Sequence, residues 1–303
     1  MLSFRCRPMG VSLLGHMTVL ALLALGGLAS SGAFAGDAAS LRARDGEVKN
    51  ALRNNGLHHS LTIQSVEAGD TLRGKVSAVR EHPYETVRVA LRDPANWCDL
   101  MVLPFNNKYC RVTQGAGGPV LAMRIGRRYD QPPEQAFALD FAFRKVADAP
   151  DYFESRLQAD DGPLGTRDYR IVVSAIALDG GRTFFELDYA YSFGVAGRTM
   201  MKLYLATAGA RRVGFTVVGR TSDGQPQYIG GVRGAVERSA MRHYLAVDAY
   251  LGSLALPPER RIERRIGQWF DASEAYPRQL HEMDREAYLN LKRQDIERQR
   301  RPL

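Results

Sequence analysis

Hydrophobic and polar positions alternate most regularly between Gly165 and Gly194, GTRDYRIVVSAIALDGGRTFFELDYAYSFG. The alternation predicts two long strands joined at Asp179-Gly180-Gly181-Arg182, because a two-residue hairpin turn needs positive φ, which glycine adopts freely. A turn centred on the two glycines sets the register. Leu178 then faces Thr183, Ile176 faces Phe185, Ser174 faces Leu187, Val172 faces Tyr189 and Arg170 faces Tyr191. One side of the hairpin carries Arg170, Val172, Ser174, Ile176, Phe185, Leu187, Tyr189, Tyr191 and Phe193. The other carries Ile171, Val173, Ala175, Ala177, Glu186, Asp188 and Ser192. The first side is large, aromatic and sparsely polar, as the wall of a ligand cavity is. Any half-buried sheet has the same character.

The rest of the chain reads as elements around that hairpin. Leu72, Gly74, Val76 and Ala78 share one face of a first strand over Thr71–Val79. Pro83 opens a helix with Val87, Ala90 and Leu91 on its inner stripe, and Asp93-Pro94 ends it. A second short helix carries Trp97, a core residue by type. Strands follow over Lys108–Thr113, Val120–Tyr129, Phe137–Val146 and Tyr152–Ala159, with Phe137, Leu139, Phe141 and Phe143 on one side of the third. Short glycine, proline and aspartate turns separate them, which implies an antiparallel meander. After Gly194, Thr199–Thr207 is an apolar helix with Met200, Met201, Leu203 and Leu205. Val218–Gly234 is glycine-rich and reads as a mobile loop. Val236–Leu254 is a long helix whose stripe is Ala240, Tyr244, Val247, Leu251 and Leu254. Residues 259–303 are strongly charged, hold Trp269, Phe270, Tyr276 and Tyr288, and read as helices that wrap or extend the domain.

The N-terminus adds a compartment. Arg5 and Arg7 precede an apolar run from Val11 to Leu28, and Ala33-Phe34-Ala35 forms a small-residue cleavage site before Gly36. This is the pattern of a secretory signal peptide over residues 1–35; an uncleaved anchor is the alternative. The expected location is the periplasm or outside the cell. Cleavage removes two arginines and no acid, so the net charge of +8 falls to +6. The basic residues are interspersed with acids and form no nucleic-acid stripe. Weak attraction to an anionic membrane surface suits that charge and that compartment. Cys6 leaves with the signal, so Cys98 and Cys110 remain as an even pair in an oxidising compartment. They are expected either to form a disulfide, stabilising by about 3 kcal/mol in the chain-entropy picture, or to stay as two buried thiols.

Few residues point to catalysis. His281-Glu282 lacks a second histidine at zinc spacing, and adjacent His58-His59 would point to opposite sides of a strand. No metal and no cofactor is expected. Glu186 and Asp188 share a strand face, where paired carboxylates do acid–base work if buried, but that face is the outer one here. Arg170 is read two ways, as a cavity arginine holding an anion or as a side chain reaching water or Asp168. Arg124 and Asp140 are expected to pair on the outer face.

This order of elements resembles the helix-grip fold of the START and polyketide-cyclase-like (SRPBCC) superfamily. The likeness rests on His82 to Leu91 (HPYETVRVAL), on Asp93 to Trp97 (DPANW), and on the Asp179–Thr183 turn before Phe184-Phe185. It implies an α+β fold with a curved antiparallel sheet of about six to seven strands around a long C-terminal helix, here with a helical C-terminal extension. The organisation expected is a signal over 1–35, a polar lead-in over 36–65, a ligand-binding domain over 66–254 and a charged extension over 255–303. Residues 195–234 form an insertion expected to be a lid hinged near Gly194–Gly197 and Gly230–Gly234, or a fixed plug. The resemblance implies a hydrophobic or lipid-like ligand held between sheet and helix. The expected lining is Arg170, Val172, Ser174, Ile176, Phe185, Leu187, Tyr189, Tyr191, Phe141, Phe143 and Tyr244. A carrier role leads. The alternatives are a cyclase- or aromatase-like enzyme using Arg170, Tyr189 and Tyr191, and a structural envelope protein.

Overall fold

The computed structural model describes residues 37–46 and 61–300, apart from 208 and 210. The signal segment, the helical patch at 47–52 and His58-His59 lie outside them. The main sheet has eight antiparallel strands in the order β1-β2-β8-β7-β6-β5-β4-β3. These are β1 (Leu61–Ala68), β2 (Thr71–Arg80), β3 (Asn107–Gly115), β4 (Gly118–Ile125), β5 (Phe137–Asp148), β6 (Tyr152–Asp161), β7 (Thr166–Leu178) and β8 (Arg182–Phe193). Two short helices, α2 (Tyr84–Leu91) and α3 (Pro94–Met101), link β2 to β3. Asp93 caps α3 by accepting from the Ala95 amide at 2.9 Å, beside a proline in the first turn. The sheet therefore has one strand more than the six to seven expected. The addition is β1, whose Leu61, Ile63 and Ser65 lie opposite Ala78, Val76 and Gly74.

The long helix α5 (Gly231–Ser253) lies along the inner face of the sheet, against β1, β2 and β8. Its closest approach is at Gly74, where a Cβ would stand 2.9 Å from the Val236 carbonyl oxygen and 3.1 Å from the Ala240 Cβ. Only a residue without a side chain lets the backbones meet so closely. Ala240, Tyr244, Val247 and Leu251 are buried as the stripe predicts. Cys98 on α3 and Cys110 on β3 form a disulfide.

The β7–β8 turn corrects the expected register. Leu178 pairs with Arg182, so three residues make the loop, and Gly180 and Gly181 both take positive φ, at 73° and 71°. Every pair shifts by one: Ser174 faces Glu186, Val173 faces Leu187, Ile171 faces Tyr189 and Arg170 faces Ala190. A one-residue slip moves a whole strand to the opposite face. Phe185, Leu187, Tyr189, Tyr191 and Phe193 keep the inner side, but their β7 companions are Ile171, Val173 and Ala175. Arg170, Val172, Ser174 and Ile176 belong to the outer side.

That outer side is not bare. Residues 37–46 form a helix, α1, where a loose lead-in was expected. Its Ala38 and Leu41 pack with Ala147, Tyr152, Ile176 and Phe184 in a second small core. Arg44 Nε meets Glu186 Oε2 at 2.9 Å, and Ser77 Oγ donates to Glu186 Oε1 at 2.8 Å. Glu186 is thus an outer-face carboxylate, as expected, but a covered one. Asp188 pairs with Arg73, and Arg124 lies 3.6 Å from Asp140.

The charged C-terminus folds into α6 (Pro258–Glu274), α7 (Pro277–Leu280) and α8 (Arg285–Gln299). Trp269, Phe270, Tyr276 and Tyr288 are all buried in the main core. Phe105 meets Trp269 and Tyr288 edge-on, with centroids 4.9 and 5.1 Å away, and Trp269 stacks on Tyr288 at 5.2 Å. Beneath them, two fully buried lysines share one fully buried carboxylate: Asp295 Oδ2 accepts from Lys108 Nζ at 3.0 Å and Lys292 Nζ at 3.2 Å. Lys292 also donates to the carbonyls of Phe105 and Asn107, at 3.2 and 2.9 Å. Among the described residues, no helix is long and apolar enough to cross a membrane.

Candidate functional site

The grip leaves a cavity of about 460 Å³ at one end. Its walls come from Met123 and Ile125 of β4, Phe137, Leu139 and Phe141 of β5, Tyr169 of β7, Tyr189 and Tyr191 of β8, and Ser239, Arg242 and His243 of α5. Met101 of α3, Asn107 of β3, and Asn106 and Arg127 of the loops close one side. The helix α4 (Val195–Ala206) covers the other with Gly197, Met200 and Met201.

Three tyrosines form the aromatic wall. Tyr169 stacks on Tyr191 at 5.3 Å and 15°, and lies edge-on to Tyr189 and Phe141, both at 6.3 Å. Its hydroxyl donates to Thr166 Oγ1 at 2.9 Å. Tyr169 shares the inner face with Ile171 and Val173 by plain strand alternation, pairing with Ala159 of β6, and the irregularity between Arg167 and Arg170, with Asp168 at φ 54°, lies beside it. Burial raises the Tyr189 phenol well above its ordinary value, so it stays protonated.

Two arginines lie at the wall in different states. Arg242 donates to Glu282, which also accepts from Arg212 at 2.8 Å and from the Tyr129 hydroxyl at 2.5 Å. Arg127 is exposed, with its guanidinium 5.3 Å from the Phe137 centroid. Leu164 and Met200 both line the cavity and face solvent, which places the mouth beside them. Leu164 holds φ 59°, an uncommon conformation for a branched side chain.

Of the residues expected from sequence, Phe141, Tyr189 and Tyr191 line this cavity. Phe143, Phe185, Leu187 and Tyr244 are inside the grip but in its packed part: Phe185 lies 6.1 Å from the Tyr244 ring, and Phe143 6.4 Å from Trp97. Arg170, Val172, Ser174 and Ile176 are on the far side of the sheet, so the trio Arg170, Tyr189 and Tyr191 does not assemble. Tyr169, His243 and the methionines were missed. Among the described residues, no three His, Cys, Asp or Glu side chains gather as metal ligands.

The 195–234 insertion is tied at its second half. The segment read as a loop holds a short hairpin, β9 (Val217–Arg220) and β10 (Pro226–Tyr228). Glu237, fully buried on α5, accepts from the amides of Phe215 and Thr216 at 2.6 and 2.9 Å and from Ser65 Oγ at 2.6 Å. A Cβ on Gly234 would stand 2.8 Å from the Ile229 carbonyl oxygen. Of the expected hinge glycines, Gly234 is thus close-packed, as is Gly197, where a Cβ would stand 2.7 Å from the Gly165 carbonyl oxygen, whereas Gly194, Gly230 and Gly231 have open space beside them.

An antiparallel sheet gripping a long C-terminal helix, with two short helices between its second and third strands, defines the topology. The fold is a helix-grip. Neither a known family profile nor a curated protein matches the sequence. Several solved structures are similar in part. Norcoclaurine synthase from Thalictrum flavum is 12% identical over 50% of this chain and 85% of its own, with a TM-score of 0.32. A START superfamily protein from Mycobacterium smegmatis is 16% identical over 45% of this chain and 88% of its own, with a TM-score of 0.31. The Zhui aromatase/cyclase from Streptomyces sp. R1128 is 13% identical over 72% of this chain and 96% of its own, with a TM-score of 0.32.

Proposed function

We propose that this is a periplasmic binding or carrier protein that encloses one hydrophobic or amphipathic, lipid-like molecule. The observation that carries the reading is the unfilled space: about 460 Å³ lined by phenylalanine, tyrosine and methionine, inside a molecule whose other interior regions are packed. Small-molecule sites occupy roughly 300–1,000 Å³ and combine apolar walls with a few polar groups. Methionines adapt to varied apolar shapes. Exposed Leu164 and Met200 at the mouth suit uptake from a lipid phase. Exposed Arg127, which also lines the cavity, and a net charge of +6 after signal removal favour weak contact with an anionic membrane surface. The periplasmic assignment rests on residues 1–35 alone. The enzyme reading drawn on Arg170 loses that residue, which pairs with Ala190 on the outer side of the sheet.

The test is lipid capture. The chain is expressed with residues 1–35 intact, recovered from the periplasmic fraction, incubated with vesicles of bacterial total lipid and re-isolated. Native mass spectrometry should show an N-terminus near Gly36 and one bound molecule per chain. A protein that carries nothing before or after the vesicles is not a carrier.

A further inference from the structure

The α5 wall of the cavity carries an imidazole whose tautomer the backbone fixes. His243 Nδ1 lies 2.7 Å from the carbonyl oxygen of Ser239, one helical turn earlier. A carbonyl oxygen only accepts, so the proton sits on Nδ1. In the neutral ring, Nε2 then holds a lone pair. The ring lies flat against Tyr189, with centroids 4.9 Å apart and planes 20° apart, so its edge has a set direction. Among the described residues no donor meets Nε2. The nitrogen is not sealed in either, since His243 is partly exposed and lines the cavity.

The surroundings keep the ring neutral. Burial, opposed by the Ser239 bond and helped by the Arg242 charge, lowers the imidazole to about 4. The titratable or charged groups around this wall are Arg242, held by Glu282, and the tyrosines 169, 189 and 191. The Tyr169 proton is already donated to Thr166.

Resting on the cavity reading above, we propose that His243 Nε2 is the specificity determinant of the site. It accepts a hydrogen bond from a hydroxyl group on an otherwise apolar ligand, and so selects alcohols and phenols over their ethers. A ligand without a donor covers Nε2 and leaves an acceptor unpaired in an apolar space. That loss corresponds to roughly 5- to 150-fold in affinity, the equivalent of about 1–3 kcal/mol.

A matched pair of fluorescent probes tests this on the full mature chain at neutral pH: 2-naphthol, which donates, and 2-methoxynaphthalene, which does not. The wild type should bind 2-naphthol at least about fivefold more tightly, from the lower end of that range. His243→Phe removes the acceptor that the ether leaves unpaired, so it should bind 2-methoxynaphthalene more tightly than the wild type does and lose the preference for 2-naphthol. His243→Gln, which keeps an acceptor, should retain part of it. Nitrogen-15 spectra of histidine-labelled wild type give a readout independent of any variant's folding. Addition of 2-naphthol should move the Nε2 resonance of His243, and 2-methoxynaphthalene should not. Equal binding of both probes to wild type, or a preference that survives in His243→Phe, overturns the role of His243 while leaving the cavity reading intact. Failure of both probes to bind rejects the cavity reading and this inference together.

Discussion

Two adjoining parts of the grip, a closed one under the C-terminal helices and an open one under α4, solve opposite problems with the same residue types. At the closed end, Phe105, Trp269, Phe270 and Tyr288 interlock, and the Tyr288 hydroxyl donates to the Leu103 carbonyl at 2.9 Å. At the open end, Tyr169, Tyr189 and Tyr191 line a space, with His243 stacked on Tyr189 and the α4 methionines among the other lining residues. The closed end holds charge at its centre, on Lys108, Asp295 and Lys292. The open end holds a neutral imidazole and leaves its charged groups at the rim. Aromatic residues thus contribute to stability where they meet other rings, and remain available for a ligand where they meet an unfilled volume. The difference comes from what faces them, here the C-terminal helices at one end and α4 at the other.

The sharpest way to break this comparison is at the closed end. Asp295→Ala leaves two lysine ammonium groups buried without a carboxylate, and removal of one partner from a buried ion pair costs about 3–5 kcal/mol. Urea unfolding should show that loss, with probe binding retained in the fraction still folded. A change below about 1 kcal/mol would place the cluster among surface-like ion pairs.

The same substitution at both ends sharpens the contrast. Tyr288→Leu should cost about 2–4 kcal/mol in lost packing and an unpaired carbonyl, and should leave 2-methoxynaphthalene affinity unchanged. Tyr169→Leu should cost only about 1 kcal/mol, from its ring pairs, and should weaken the probe severalfold. Equal destabilisation by the two would show that the open end is ordinary core.

The smallest effect is in pH. The His243 imidazole is at about 4 in the folded chain, below its ordinary 6.5, so the unfolded chain binds the extra proton between those values. Stability from this group is full above pH 6.5 and falls as pH drops through 4. Lys292, lowered to about 8 by burial, acts on the other side: from about 8 to 10.5 the unfolded chain holds the proton that the folded one has lost. Stability should rise with pH there. Melting curves of wild type against His243→Phe and Lys292→Met check both signs; parallel pH profiles would remove the assignments.

Much of the architecture was legible because strand alternation and the α5 stripe are strong, long-range patterns. The aromatic half of the site on β8 was legible for the same reason. The β7 half was not. A Gly-Gly pair fits a two-residue and a three-residue turn equally, and the difference of one residue reverses a strand's faces. Polar matching held the answer, since the true frame sets Ser174 beside Glu186 and the other sets Ser174 beside Leu187. Tyr169 was missed with the rest of the β7 half, since it shares the face of Ile171 and Val173 that the other frame turns outward. α1 is short, and its two inward residues, Ala38 and Leu41, give too little periodicity to read. His243 was passed over because a single histidine on a helix means little until its carbonyl partner and the cavity are both in place.

The strand order also dictates a timetable. β2 pairs with β8, Thr71 opposite Ser192 and Arg80 opposite Thr183, so the sheet joins segments more than a hundred residues apart in sequence. The consecutive hairpins β1–β2 and β3 to β8 close over short loops and can form early, whereas the free edge of β2 must wait for the last strand to arrive. A chain emerging N-terminus first thus carries its β1–β2 hairpin detached from the rest of the sheet until β8 has emerged.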